Sequence, residues 1–499
     1  MLQKRGSALM INMNRLKPMF IDKETLMSYY IHSEPNGQLK FSDTPSKYLM
    51  LPSFLTGFNN ETTSIAESLS ERTLFLFHGS IEIEESASIC DACGSKMHIN
   101  RTNSEITLSH LPFGSYLSRV IFKRPQYLCP RCGITAMHPI LFKSPHHRIT
   151  CELEQYTKDL LATGRYTLKA VAEIAGLGKN IIKAIDKRRL QEDYTINGKE
   201  LIKPEATTKY LGIDEFKLHN GHRYATHIVD MQTGHILWIA HGKKKQVVYD
   251  FIAHVGLEWM DNVEAIACDM NSDFQEAFEE KCPHVQPVFD YFHIVKNFND
   301  KVVSAIRKDE QKRLIDEGNH EAAKSLKGAR YILTSSKDTL KRKDEEAREG
   351  KVISKGSTLF NKDSIVRKEG YEAKYDKLLQ ENKLLFTLDI IKEKLSEAYS
   401  STNEPHMAEA IVEIMNMCEA TSNPHLLWFK RLIDRHFEGI NAHATYKISN
   451  GKIEGINNKI KTIRRQGYGY PDDEYFFLKL FDMSRQKYIR NPLSHKKSD

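Results

Sequence analysis

Two short cysteine pairs set the first constraint on this chain. Cys90-Asp-Ala-Cys93-Gly and Cys129-Pro-Arg-Cys132-Gly are C-x-x-C-G knuckles. Two thiolates separated by two residues and followed by glycine let backbone amides wrap a metal-bound sulfur. Two such pairs make a closed tetrahedral site. Cys90, Cys93, Cys129 and Cys132 are therefore expected to hold a structural Zn²⁺. The alternative is a disulfide or redox pair. The first twenty residues have no continuous apolar core and no small-residue cleavage site, so no signal peptide is expected, and structural disulfides are disfavoured. The knuckles stand farther apart than in common fingers, so a small hairpin is expected between them. "YLSRVIFKRPQYLCPRCG" reads as a strand feeding the second knuckle. Cys151, Cys268, Cys282 and Cys418 read as ordinary buried or free thiols.

Next comes "TGRYTLKAVAEIAGLGKNIIKAIDKRRL". Ala172, three residues, Gly176 and then a new helical pattern is the spacing of a helix-turn-helix. The small alanine lets two helices approach, and glycine permits the turn. The second helix, Lys179 to Leu190, carries Lys179, Lys183, Lys187, Arg188 and Arg189, and is expected to enter a DNA major groove. An ordinary helical hairpin with a basic exposed face is the alternative. Of the net charge of +7, most sits late: residues 441–499 hold twelve Lys/Arg against six Asp/Glu. A clustered basic surplus points to a polyanion, nucleic acid first. A solubility bias of the last ten residues is the other reading. The 499 residues allow about three domains at ~150 residues each. No run approaches the ~18 apolar residues of a membrane span, so no membrane partner is expected.

From Thr207 the texture changes. "KYLGIDEFKL", "RYATHIVD" and "HILWIAHG" are apolar strands, the first two joined by a tight turn at Asn220–Gly221. "KKQVVYDFIAHV" is helical, "VEAIACDM" a short buried strand, "SDFQEAFEEKC" helical, and "VQPVFDYFHIVKNF" a strand running into a helix. Hairpin-linked strands one to three, helix, strand four, helix, strand five is the mixed-sheet order of a ribonuclease H-like core. An acid within or ending an apolar strand is costly to bury unless paired or metal-bound. One is often structural. Asp214 and Asp269, on strands that neighbour each other in this topology, form a pattern. The third acid lies in "SNGKIEGINNKIKTIRRQ". After the break at Asn450–Gly451, Ile453, Ile456, Ile460 and Ile463 make an apolar helical stripe. Glu454, Asn458, Lys461 and Arg465 lie on the other side. A solvated helix face with mixed charge would explain them. In the sharper reading Glu454 meets Asp214 and Asp269 at the sheet's edge, and Lys461, Arg464 and Arg465 hold a DNA backbone.

The two knuckles, "GIDEFKLHNGHRYATHIVD", "ACDMNSDFQEAF", "VFDYFHIVK" and "SNGKIEGINNKIKTIRRQGYGY", in that order, resemble the DDE transposases of the ISL3 group of bacterial insertion sequences, over residues 85–485. The resemblance implies that Asp214, Asp269 and Glu454 are the catalytic triad. Asp290-Tyr-Phe-His293 is similar to a D-x-x-H element, in which His293 contacts the scissile phosphate or orients a ligand. The rival acids are Asp290 for Asp269 and Glu474 for Glu454; Glu474 follows "GYGYPDD", which reads as a loop. The fold expected is multidomain α/β. Residues 1–84 have no assigned role, 85–145 are a zinc-ribbon-like module and 146–200 a helix-turn-helix. The first part of the ribonuclease H-like core spans 205–296, an all-helical insertion 297–440, and the final core helix with a basic C-terminal region 441–499. The middle of the insertion, 337–368, is charged enough that part is expected as mobile loop. Trp428 is expected in the insertion's core.

Three carboxylates suit two Mg²⁺ or Mn²⁺ ions, since hard cations prefer oxygen. One ion would lower the pKa of an attacking water or 3′-hydroxyl and the other would stabilise the leaving oxygen. Expected partners are double-stranded DNA, both the terminal inverted repeats and the target, and further copies of the chain on the DNA ends. The expected location is the bacterial cytoplasm, at the nucleoid. The competing readings are a zinc and helix-turn-helix transcriptional regulator with incidental acids, and a related nuclease without strand transfer.

Overall fold

The computed structural model describes residues 31–33, 38–41, 55, 57–67, 72–83, 85–221, 223–270, 272–354, 365–366, 369–448, 451–467 and 470–486. Two compact units emerge. One comprises Met1–Ile202 with Arg464–Asp499, the other Lys203–Ile463.

Among the described residues the first unit has nine strands before its helices: β1 (Ile31–Ser33), β2 (Gln38–Phe41), β3 (Phe58–Glu67), β4 (Thr73–Ile81), β5 (His98–Thr102), β6 (Ile106–Phe113), β7 (Tyr116–Phe122), β8 (Pro125–Leu128) and β9 (Thr135–Met137). Six of them form a sheet of order β1-β2-β3-β4-β7-β6, and β5-β8-β9 form a second, three-stranded sheet. Alternation buries Leu108, Val120 and Phe122 with Phe58 and Phe142, whose rings meet edge to face. β4 pairs with β7, so the expected boundary at 84/85 falls inside one sheet. The run between the knuckles is more than one small hairpin. β5 and β8 stay at the knuckles, while the β6–β7 hairpin enters the large sheet. The strand expected to feed the second knuckle is two strands, β7 and β8, one in each sheet.

Three helices follow: Cys151–Ala162, Leu168–Ala175 and Lys179–Tyr194. Thr150 and Thr167 cap the first two, their side chains accepting from the amides of Leu153 and Ala170. Gly176 ends the second at φ +64°, and a Cβ there would fall 2.4 Å from Leu117. The helices close on Leu153, Leu161, Val171, Ile182 and Ile185. A short ribbon, β10 (Thr195–Ile196) with β11 (Glu200–Leu201), follows.

The helix Asp473–Arg485 packs on the third of these helices through buried charge. Asp186, fully buried, accepts from Tyr475 Oη (2.6 Å), Lys479 Nζ (3.0 Å) and Arg189 Nη2 (3.0 Å). Arg189 reaches on to Asp482 at 3.0 Å, and Tyr194 Oη donates to the same carboxylate at 3.1 Å. Asp472 caps that C-terminal helix by accepting from the Tyr475 amide, and it draws Lys183 and Lys187 to 3.3 and 3.1 Å. Arg188 pairs with Glu154 at 3.1 Å. Four of the five basic side chains on the helix expected to enter a groove, Lys183, Lys187, Arg188 and Arg189, are thus engaged within this unit. Their helix carries a partner helix whose capping acid needs cations. Lys179, at the helix start, remains exposed.

The second unit is built on β12 (Tyr210–His219), β13 (Arg223–Asp230), β14 (Ile236–His241), β15 (Ala265–Cys268) and β16 (Gln286–Phe289). The sheet order is β14-β13-β12-β15-β16. β12, β13 and β14 are antiparallel neighbours, while β15 and β16 run parallel to β12. The helices Lys245–Val255 and Ser272–Lys281 make the parallel crossovers possible. Gly221, at φ +78°, supplies the turn of the β12–β13 hairpin.

Helices from Ser304 to Tyr446 fill most of the expected insertion, but β17 (Val352–Ser354) pairs with β18 (Ile365–Val366), so the insertion is not all-helical. The start of the run expected as loop is the helix Lys337–Arg348, and 355–364 and 367–368 lie outside the described residues. The insertion shares a core with the sheet: Phe251, Phe274 and Phe289 lie in one cluster with Leu388, Ile411 and Phe429, while Ile332, Leu340 and Tyr375 form a small cluster within the insertion. Trp428 packs, half-buried, against the shared core. Among the described residues no helix is long and apolar enough to cross a membrane.

Removing one partner from a buried, hydrogen-bonded ion pair costs roughly 3–5 kcal/mol. Asp186→Ala is therefore expected to lower the stability of the first unit by about that amount and to expose Asp473–Arg485 to proteolysis. Calorimetry with limited digestion checks this; a variant with an unshifted transition and protected C-terminal helix contradicts the role given to Asp186.

Candidate active site

The cysteines meet as the knuckle spacing requires. Their four sulfurs all lie within 4.8 Å of one another, with Cys90–Cys132 and Cys93–Cys129 at 3.5 Å and Cys93–Cys132 at 3.7 Å. All are free thiols. Metal–sulfur bonds of ~2.3 Å put the corners of a tetrahedron about 3.8 Å apart, so the set fits a thiophilic ion. The knuckles are alike in backbone. Gly94 and Gly133, at φ +68° and +71°, return their amides to the Cys90 and Cys129 carbonyls at 2.8 and 3.0 Å. The Ser95 hydroxyl and amide hold the Cys93 thiol well below its usual range, at about 6, while, against the Ile134 amide, the neighbouring thiols Cys129, Cys90 and Cys93 push Cys132 up to about 12.

The carboxylates collect on the second unit's sheet. Asp214 sits in the middle of β12, opposite His227 of β13. Asp269 follows the last residue of β15, the next strand over. Asp214 Oδ1 accepts from the Glu215 amide at 2.8 Å, and Asp269 Oδ1 from the Met270 amide at 2.7 Å. Burial pushes the Asp214 carboxyl above its ordinary pKa, against the Glu215 and Asn457 hydrogen bonds; the nearby Asp269 charge pushes the same way. Burial also acts on Asp269, but His293, the Met270 amide and Lys296 outweigh it and hold that carboxyl low. His293 Nδ1 lies 3.2 Å from Asp269 Oδ1. Its own pKa is raised: burial opposes the cation, and Asp269, Asp214 and Asp290 more than compensate. Two acids on neighbouring strands thus sit in contrasting protonation environments, with a histidine against the second.

The third acid comes on the helix Gly451–Gln466; of the break expected at Asn450–Gly451, Asn450 lies outside the described residues and Gly451 begins the helix. Its apolar stripe is buried at Ile453, Ile456 and Ile460. Gly212, two residues before Asp214 on the same face of β12, makes the docking possible. A Cβ there would lie 2.5 Å from both Ile453 Cδ1 and Met231 Sδ. Lys452 Nζ anchors the helix start on the Met231 and Gln232 carbonyls at 2.6 and 3.0 Å. One turn after Glu454, Asn457 Nδ2 donates to Asp214 Oδ2 at 2.6 Å.

Glu454 itself is exposed. Among the described residues only the cysteine set brings three or more possible ligand groups within 4.8 Å, so Asp214, Asp269 and Glu454 do not close into such a cluster. Of the rivals, Asp290 is buried beneath His293 and Tyr399 and acts on their charge. Glu474 lies not in a loop but in the first turn of Asp473–Arg485, in the other unit, 3.7 Å from Lys187. Lys461 and Arg465 are exposed on the later turns of the Glu454 helix, and Arg464 is half-buried.

A family model described as a transposase, of the ISL3 DDE group, matches residues 211–480, more than half of the chain. This chain belongs to that transposase family. A transposase for insertion sequence element IS1001 of Bordetella parapertussis is 26% identical over 393 residues, covering 79% of this chain and 87% of that protein. A transposase for IS1557 of Mycobacterium tuberculosis is 24% identical over 285 residues, 53% of this chain and 57% of that one. The matched region begins on β12 and includes Asp214, Asp269, His293 and Glu454. This transposase acts on DNA, and the regulator reading falls away.

Its acids are hard oxygen donors suited to divalent cations rather than to thiophilic metals. Asn457 was missed by the sequence reading, which placed Asn458 on the polar face. The signal was present: Asn457 is three residues after Glu454, and positions three apart share a helix face.

Loss of a structural metal is loss of local folding energy. Cys129→Ser is expected to lower bound metal by one equivalent and to unfold the β5-β8-β9 module while the second unit keeps its melting transition. Metal analysis with calorimetry checks it. Retention of the metal would remove the assignment.

Proposed function

We propose that Asp214, Asp269 and Glu454 form one site, on a ribonuclease H-like core, at which this transposase cuts the ends of its element and joins them to target DNA. The observation that carries the reading is the Asn457–Asp214 hydrogen bond. It fixes the Glu454 helix against the strand bearing the first acid, on a sheet whose order supports such a core. Two Mg²⁺ or Mn²⁺ ions bound there would supply an activated hydroxyl and a stabilised leaving oxygen.

The chain's own groups prepare the site. Asp214 is held at both oxygens, by the Glu215 amide and by Asn457, so its carboxylate plane is fixed. His293 keeps Asp269 ionised and oriented, leaving its other ring nitrogen for a phosphate oxygen. Glu454, exposed on a helix, can swing inward once a cation offsets the repulsion. No covalent enzyme intermediate is needed, so the same site serves hydrolysis and strand transfer.

The remaining parts follow this reading. The cysteine set holds structural Zn²⁺. The helices 151–194 read the terminal inverted repeats, with Lys179 the exposed base at the start of the recognition helix. Lys183, Lys187 and Arg188 contribute to DNA only if their partners Asp472 and Glu154 release them. Lys461, Arg464 and Arg465 track the backbone beside the scissile phosphate. Two or more copies assemble on paired ends, at the bacterial nucleoid.

Glu454→Gln keeps the shape and removes the charge. With DNA carrying the element's own ends and Mg²⁺, cleavage and strand transfer are expected to fall together to background, with DNA binding retained. Glu474→Gln is expected to cleave like the parent. Cleavage surviving in the first variant and lost in the second would place the third acid on the wrong helix. Cleavage without strand transfer in the parent would favour a nuclease.

A further inference from the structure

Asn457 presents two polar atoms beside Asp214, and only one has a partner among the described residues. Its Nδ2 donates to Asp214 Oδ2 at 2.6 Å. Its Oδ1 is buried and accepts from no group among the described residues. A buried carbonyl oxygen left without a donor costs about 1–3 kcal/mol. The amide cannot be turned to relieve it, because exchanging the atoms would set an oxygen against a carboxylate. The orphaned oxygen is therefore fixed within one amide's width of Asp214 Oδ2, in a cluster that includes Asp269. A neutral amide oxygen is a hard ligand of the kind that Mg²⁺ and Mn²⁺ accept beside carboxylates.

We propose that Asn457 Oδ1 is a direct ligand of a divalent cation held by Asp214, so that the helix Gly451–Gln466 supplies two donors, Asn457 and Glu454, one turn apart. This inference rests on the metal-dependent site described above. The division of labour follows from burial. Asn457 is pre-set against Asp214 before any ion arrives, whereas Glu454 is exposed and joins afterwards. A neutral ligand in the pre-set position adds an oxygen to Asp214 and Asp269 without adding a third negative charge to their repulsion. The Nδ2 hydrogen bond and the Oδ1 ligation use different atoms, so Asn457 can orient Asp214 and bind the ion together.

Mn²⁺ binding to the full-length chain, followed by electron paramagnetic resonance without DNA, tests this independently of turnover. Asn457→Ala is expected to weaken Mn²⁺ binding at the acid site by about tenfold or more, the loss typical of disturbing a metal's ligand shell. Asn457→Asp separates ligation from orientation. An aspartate can ligate but cannot donate to Asp214, and without metal it adds repulsion. A ligand role predicts that Asn457→Asp binds Mn²⁺ at least as well as the parent. Asn457→Asp binding worse than Asn457→Ala would show that the side chain acts only as a donor to Asp214, and would overturn the proposal. Equal melting temperatures of the metal-free variants exclude misfolding as the cause of weak binding; a variant that melts early is replaced by Asn457→Ser, for which the same tenfold loss is expected. Asp214→Asn is the control for the underlying site. If it too leaves Mn²⁺ binding intact, the site is misassigned; if it abolishes binding while Asn457→Ala does not weaken it, only the role of Asn457 fails.

Discussion

The second unit depends on a close approach between parts of the chain 243 residues apart, the helix Gly451–Gln466 on the strand that carries Asp214. Gly212 leaves room for Ile453 to lie on the strand, and Ile453 joins Met231, Ala265, Ala267 and Val288 in a common apolar layer. Burial of each isoleucine contributes on the order of 1.5–3 kcal/mol. That is ample to offset the weak strand-forming tendency of glycine. Once the stripe is docked, the residues around Asn457 have no choice of direction. The amide meets Asp214, and Glu454 stands one turn away. The apolar contact therefore sets the positions of the polar groups, and the helical insertion shares a separate core with the same sheet.

The first unit is organised by the opposite device. Its C-terminal helix is held on the third helix by Asp186, Arg189, Asp482, Tyr475 and Lys479. Buried ions repay their desolvation only when every donor and acceptor is used, and here Asp186 receives three different donors. Such a network is intolerant of sliding and so fixes the register of the two helices. It also explains why a helix that looks uniformly basic in sequence has most of its cations engaged within its own unit. Arg189 is a core residue, and Lys183 and Lys187 neutralise the cap of their neighbour.

Much of this was legible from local pattern. The two knuckles, the order of strands and helices from β12 to β16, and the isoleucine stripe each follow from residue type and spacing, because each is decided within a few residues. What was not legible is decided by partners far along the chain. Nothing near Lys187 announces Asp472, and nothing near Leu108 says that the hairpin between the knuckles will complete a sheet begun by β3 and β4. The insertion looked separable because its helices are amphipathic in their own right, yet their apolar faces close on the sheet. At the site, the choice between Asn457 and Asn458 turns on helix phase set by Ile453 and Gly212, which spacing alone leaves open by one residue.

The central claim is that residues distant in sequence hold one divalent-cation site. Iron-directed scission tests it most directly. Fe²⁺ replaces Mg²⁺ in the full-length chain, peroxide and ascorbate generate hydroxyl radicals at the bound ion, and the cut positions are mapped by mass spectrometry. Cuts clustered near 214, 269 and 454–457, lost on adding excess Mg²⁺ and absent from Asp214→Asn, are the predicted result. Mg²⁺-protected cuts around Glu474 or elsewhere, with the Glu454 helix untouched, would contradict it.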